Sequence, residues 1–182
     1  MLLLFYGDSN TFGYDPRSYL GGRYGASVRW PERLTAALGD GHQLINDGMN
    51  GRCIPPAGTP LPPADLTVVM LGSNDLLMGA SAEDASARLA GFIKPNLPRR
   101  LLLLAPPQME RGAWVESDDL ILEARRYNLY LRALASELNC AFADASALRP
   151  PLAFDGVHLL PEGHEALYEG LLPVVSALVF PA

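Results

Sequence analysis

Residues 66–71 read LTVVML, an apolar run rich in β-branched side chains, and Gly72-Ser73-Asn74-Asp75 follows directly. A run of that length and composition reads as a strand buried on both faces, and the glycine ends it. Leu101–Ala105 (LLLLA), stopped by Pro106-Pro107, and Leu2–Tyr6, leading into Gly7-Asp8-Ser9-Asn10, repeat the pattern. His42–Asn46 and Cys140–Ala143 are two further, shorter strand candidates. Helix signals fall between the strands. From about Val28, Pro31 suits a first turn, Leu34, Ala37 and Leu38 share a face, and Gly39 ends the helix. Ser81 N-caps a helix to about Ile93. Further helices span about Asp118 to Leu138 and Pro161 to about Leu178. Residues 12–27 and 47–63 are rich in glycine and proline and read as loops. The order β-α-β-loop-β-α-β-α-β-α predicts an α/β fold whose parallel sheet is covered on both faces.

The 182 residues suit one domain, residues 1–182, with no internal repeat and no linker. Hydrophobic residues make up 49% and charged residues 19%, as in a soluble globular protein. The net charge of −6 argues against a nucleic acid or an anionic membrane as partner. Arg99-Arg100 and Arg125-Arg126 read as solvated surface pairs. Neither Cys53 nor Cys140 lies in a C-x-x-C, so zinc and redox readings lack support, and two reduced, partly buried thiols are expected. The N-terminus has no basic region and too short an apolar run for a signal peptide, and no stretch is long enough to span a bilayer. A cytoplasmic location is the expectation.

The chemically suggestive clusters all fall just after strands. Ser9 follows the first, Gly51 the second, Asn74 the third, and Asp155 and His158 the fifth. Open α/β sheets place ligands outside the carboxyl ends of their strands, so four distant segments converge on one edge. Each cluster alone is also an ordinary turn sequence. An Asp three residues before a His, however, can bond one ring nitrogen and leave the other free, as a general base requires. Only His158 has that neighbour. His42 reads as a surface or edge residue and His164 as structural. Asp8 and Asp75 read as loop-fixing hydrogen bonders rather than acids.

Gly7-Asp8-Ser9-Asn10, Asn46-Asp47-Gly48-Met49-Asn50-Gly51, Gly72-Ser73-Asn74-Asp75 and Asp155-Gly156-Val157-His158 together resemble the four ordered blocks of the SGNH (GDSL-type) hydrolase family. Residues 5–30 (FYGDSNTFGYDPRSYLGGRYGASVRW) further look like its arylesterase and acyltransferase branch. Asn10 departs from the leucine in the family's name. The resemblance implies a three-layer α/β/α sandwich with a five-stranded parallel sheet of flavodoxin-like order. It implies Ser9 as nucleophile, His158 as base, Asp155 as its orienter, and Ser9, Gly51 and Asn74 as oxyanion donors. It needs no metal and no cofactor.

The expected activity is hydrolysis of carboxylic esters of short acyl or aryl groups, with acyl transfer where an alcohol competes with water. Loop 12–27, Met49, Asn50, Leu76, Leu77, Met78, Trp114 and Val157 are the candidate pocket residues. Carbohydrate deacetylase, thioesterase and lysophospholipase remain alternatives with the same triad. A flavodoxin-like nucleotide-binding protein, its phosphate cradled by Ser9–Gly13, is an alternative of another class. A catalytically silent interaction module is a third, against which the intact residue set argues. The expected partner is a small ester, and a homo-oligomer is open, since loop 12–27 could serve a subunit contact.

Overall fold

The computed structural model describes residues 1–18 and 20–181; Tyr19, within the predicted 12–27 loop, and Ala182 lie outside the described residues. Five parallel strands, β1 (Leu2–Gly7), β2 (Gln43–Gly48), β3 (Leu66–Met70), β4 (Leu101–Ala105) and β5 (Ala141–Asp144), form one sheet in the order β2-β1-β3-β4-β5. This is the flavodoxin-like order. The helices are α1 (Ser9–Phe12), α2 (Trp30–Ala37), α3 (Ser73–Leu77), α4 (Ala82–Ile93), α5 (Asp118–Glu137) and α6 (Pro161–Val179). The predicted α/β fold and its three layers are thus present.

Alternation along β1 shows why both faces are covered, since successive side chains point to opposite sides. Leu4 and Tyr6 join Val69, Leu71, Leu103, Leu89, Phe92 and Tyr127 on the face packed by α4 and α5. Leu3 and Phe5 join Val68, Met70, Leu102, Trp30, Leu34, Leu167 and Leu171 on the face packed by α2 and α6. Each such fully buried side chain stabilises the fold by roughly 1.5–3 kcal/mol. Trp30 is wholly buried edge-on against Phe5, with ring centroids 5.2 Å apart, and its indole N–H donates to the Asn10 carbonyl at 3.0 Å. The α2 core residue therefore also braces the turn after β1.

Two short helices, α1 and α3, occupy what the sequence reads as turns. Asp8 caps α1, its carboxylate accepting from Asn10 N–H at 3.0 Å. Gly48 permits the close approach of α1 to β2, because a Cβ there would collide with the backbone of Thr11 and Phe12. Both cysteines are free and half-buried, and His42 is half-buried against Phe180. Among the described residues, no helix is long and apolar enough to cross a membrane.

His164, on α6, is fully buried beside Tyr24, and neither ring nitrogen has a hydrogen-bond partner among the described residues. Burial, helped by the charges of Arg29 and Arg33, pushes its pKa down from the ordinary 6.5 to about 4. The ring is neutral in the fold but protonates more readily in the unfolded chain. Its contribution is therefore fully present above pH 6.5 and is lost as pH falls from 6.5 towards 4. The urea midpoint is expected to fall between pH 7 and pH 4.5 by the equivalent of about 2–3 kcal/mol from this group. His164→Leu should show a smaller fall over the same range; an equal fall would assign the effect to other groups.

Candidate active site

The parallel register brings the carboxyl ends of the strands to one edge, with Gly7 opposite Gly48 on one side and Met70 on the other. Ser9 opens α1 directly beyond β1. Its Oγ lies 2.9 Å from Nε2 of His158, 149 residues away in sequence. Nδ1 of His158 lies 2.8 Å from Oδ2 of Asp155. Oδ1 of Asp155 accepts from the backbone N–H groups of Val157 and His158, each at 2.9 Å. One carboxylate thus shapes the loop and orients the ring that the loop carries. Burial pushes the Asp155 carboxyl up, but the bonds from the His158 ring and these two N–H groups outweigh it and hold its pKa below the ordinary value. Asp155 stays ionised, as an orienter must.

A cavity of about 220 Å³ opens over this row, lined by Ser9, Tyr14, Asn50, Gly51, Asn74, Trp114 and His158. Nδ2 of Asn74 donates one hydrogen to the Arg52 carbonyl at 3.0 Å, which aims the amide. Gly51 has φ +71, and a Cβ there would meet only open space, so its backbone conformation rather than crowding calls for glycine. Neither the Ser9 nor the Gly51 N–H bonds a backbone carbonyl among the described residues. Ser9, Gly51 and Asn74 line the same cavity with these donors free of backbone carbonyl partners among the described residues, apart from the one Asn74 hydrogen given to Arg52.

Backbone pairing explains the position of Trp114. Glu110 N–H bonds the Gly156 carbonyl, Ala113 N–H that of Phe154 and Trp114 N–H that of Asp155, at 3.0, 3.0 and 3.1 Å. This clasp sets the indole edge-on to the His158 ring, with centroids 4.9 Å apart. Tyr14 approaches the same ring to 4.6 Å from the turn after α1. Of the predicted pocket residues, Asn50, Trp114 and, from loop 12–27, Tyr14 line the cavity; Met49, Leu76 and Val157 do not. Leu76 and Val157 are 3% and 5% exposed and pack in the core, because α3 lies against α4 and α5 and the Val157 backbone is held inward. Met49 is half exposed outside the cavity, and Met78 is exposed, its sulfur 3.4 Å from that of Cys53. Leu77 is partly buried against the core.

Tyr14 is a wall residue that composition could not single out from the other tyrosines of its loop. Arg52 escaped notice as a lone charge in a glycine-rich loop. Its guanidinium reaches the Gly7 carbonyl at 3.1 Å and Oδ1 of Asp47 at 2.7 Å, binding the ends of β1 and β2. Asp75 accepts from Ile54 N–H at 2.9 Å and Asp8 caps α1, so both fix loops. Burial raises the Asp8 pKa to about 6, against the bond from Asn10 N–H and the nearby His158 and Arg52.

The phosphate-cradle alternative finds no cradle. The N–H groups of Thr11 and Phe12 bond the Asp8 carbonyl and those of Gly13 and Tyr14 bond the Ser9 carbonyl, so the loop offers no open ring of donors. A second cavity, about 250 Å³, lies at the other edge of the sheet beside Leu101, Asn139, Cys140 and Leu178, away from Ser9. Among the described residues, no three His, Cys, Asp or Glu side chains are grouped to hold a metal ion.

The model of the GDSL-like lipase/acylhydrolase family matches residues 5–166, which include every residue of this row. The chain belongs to that family. Solved structures similar to this family member include a candidate arylesterase from Agrobacterium tumefaciens, 29% identical with a TM-score of 0.81 over 97% of this chain and 99% of that one. A carbohydrate acetylesterase family member from Sinorhizobium meliloti is 29% identical with a TM-score of 0.80, covering 98% of both chains. The aryl esterase of M. smegmatis, at 22% identity and a TM-score of 0.81 over 97% and 99% of the two chains, shares the fold. No curated protein matches by sequence.

Proposed function

We propose that this GDSL-family hydrolase is an esterase that cleaves short-chain acyl or aryl esters through an acyl-enzyme on Ser9. The observation that carries the reading is the continuous row Ser9–His158–Asp155, joined at 2.9 and 2.8 Å, on the wall of a cavity that also presents Gly51 and Asn74. A serine hydroxyl is a weak nucleophile until a base takes its proton. His158 Nε2 takes it as Oγ attacks the ester carbonyl. Asp155 holds the imidazolium. The Ser9 and Gly51 N–H groups and the Asn74 amide meet the oxyanion, which matters because such donors are aimed before the charge develops. Collapse of the intermediate transfers the proton from His158 to the leaving alcohol. Water then attacks the acyl-enzyme with His158 again as base, releasing the acid and regenerating Ser9. Another alcohol in place of water gives acyl transfer.

The small cavity supports a short acyl group, and the rings of Tyr14 and Trp114 support an aryl or sugar leaving group. The carbohydrate acetylesterase likeness makes deacetylation of sugars the second reading. The test is covalent labelling followed by a substrate panel. A fluorophosphonate is expected to add to wild type on Ser9, and not to Ser9→Ala, by peptide mass spectrometry. p-Nitrophenyl acetate and butyrate should be cleaved faster than octanoate, and acetylated xylose or glucose faster than either would favour the second reading. Absence of a Ser9 adduct in folded protein would refute both.

A further inference from the structure

The Asn10 side chain takes no part in the chemistry above, yet it is buried, 3% exposed, between nucleophile and base. Its Nδ2 donates to the Val157 carbonyl at 3.0 Å, and its Oδ1 accepts from the Leu159 N–H at 2.9 Å. Those two groups flank His158, so the amide pairs with the His158 segment as a neighbouring strand's peptide would. The Asn10 backbone is anchored in turn, its N–H to Asp8 and its carbonyl to the Trp30 indole, each at 3.0 Å. Among the described residues, the only other hydrogen bond between segments 7–14 and 153–160 is that of Ser9 with His158.

A single neutral hydrogen bond contributes about 0.5–1.5 kcal/mol net, too little to hold two loops in register. We propose that Asn10 is a positioning residue that sets the separation of Ser9 Oγ and His158 Nε2. Leucine at this position could make neither bond. Among the described residues, the buried Val157 carbonyl and Leu159 N–H have no other partner, so removing the amide leaves both unpaired and the His158 loop must move to find one. Misplacement by about 1 Å costs on the order of 100-fold in rate.

The kinetic part of this inference rests on the esterase reading; the geometric part does not. Two variants test it. Asn10→Ala removes both bonds. Asn10→Asp keeps the volume and the acceptor for Leu159 N–H but sets an oxygen against the Val157 carbonyl. In both, kcat on p-nitrophenyl acetate, per molecule able to bind a fluorophosphonate, is expected to fall about 10- to 100-fold with KM within about threefold of wild type. Crystal structures of the variants should place Ser9 Oγ and His158 Nε2 beyond hydrogen-bond distance. A merely structural role would lower Tm while leaving kcat per active molecule unchanged. Wild-type kcat in folded Asn10→Asp, or an unaltered Ser9–His158 separation in its crystal structure, overturns the inference. If wild type itself shows no Ser9-dependent hydrolysis, the esterase reading fails, and the crystal structures still decide the role of Asn10.

Discussion

Ser9→Ala, His158→Ala and the double variant are expected to lose activity to nearly the same depth, on the order of 10⁴-fold or more in kcat. The hydroxyl and the imidazole act through one bond of 2.9 Å. Without the base, Oγ keeps its proton; without Oγ, the base has nothing to activate. Once either is gone, removing the other costs little more, so the effects do not add. What remains is the oxyanion donors and binding, which still exceed the reaction in water. Folding should survive, because among the described residues the Ser9 hydroxyl bonds only His158, and the loop around His158 is held by Asp155 and Asn10 through backbone groups. Steady-state rates on p-nitrophenyl acetate for the three variants check this. Losses that multiply in the double variant would mean that the two residues act independently and that the row is not a catalytic unit.

Asp155→Asn should cost about 10⁴-fold in kcat while preserving the loop. The Asp155 carboxylate fixes the tautomer in which Nδ1 carries the hydrogen and the Nε2 lone pair faces Ser9. An asparagine can still accept the Val157 and His158 N–H groups through Oδ1. Its NH₂, however, would face Nδ1 and favour the opposite tautomer. Nε2 would then present a hydrogen to Ser9 and could take no proton. The expected result is loss of the p-nitrophenol burst with Tm within a few degrees of wild type. A loss of less than about tenfold would show that Asp155 serves the loop and not the base.

The strands were legible because a parallel sheet covered on both faces demands side chains that are apolar at every position. Leu101–Ala105 matches β4 residue for residue, and the predicted strand 66–71 differs from β3 only at Leu71. The edge strands β2 and β5 are only half-buried, so their ends were displaced: β5 takes in Asp144, whose carboxylate accepts from Ser146 N–H, and leaves out Cys140. The helices α1 and α3 were not legible, since four or five residues carry no periodicity and Gly-Asp-Ser-Asn has the composition of a turn.

By itself, the sequence determined which residues could do chemistry and that they meet at one edge. The succession of strands along the chain and the strand-end positions of Ser9, Gly51, Asn74, Asp155 and His158 follow from local patterns, whereas the order of the strands within the sheet was implied by the family resemblance and is set by tertiary packing. Tertiary structure alone decided which apolar side chains face the cavity. Leu76 and Trp114 are equally apolar in a list, yet one lies on the core face of α3 and the other is held over His158 by backbone bonds to Phe154 and Asp155. It alone also turned Asn10, a departure from a motif in the sequence, into a link between the Ser9 turn and the His158 segment. Both outcomes depend on partners more than 35 residues away, and no local pattern encodes a contact whose other half lies in a distant segment.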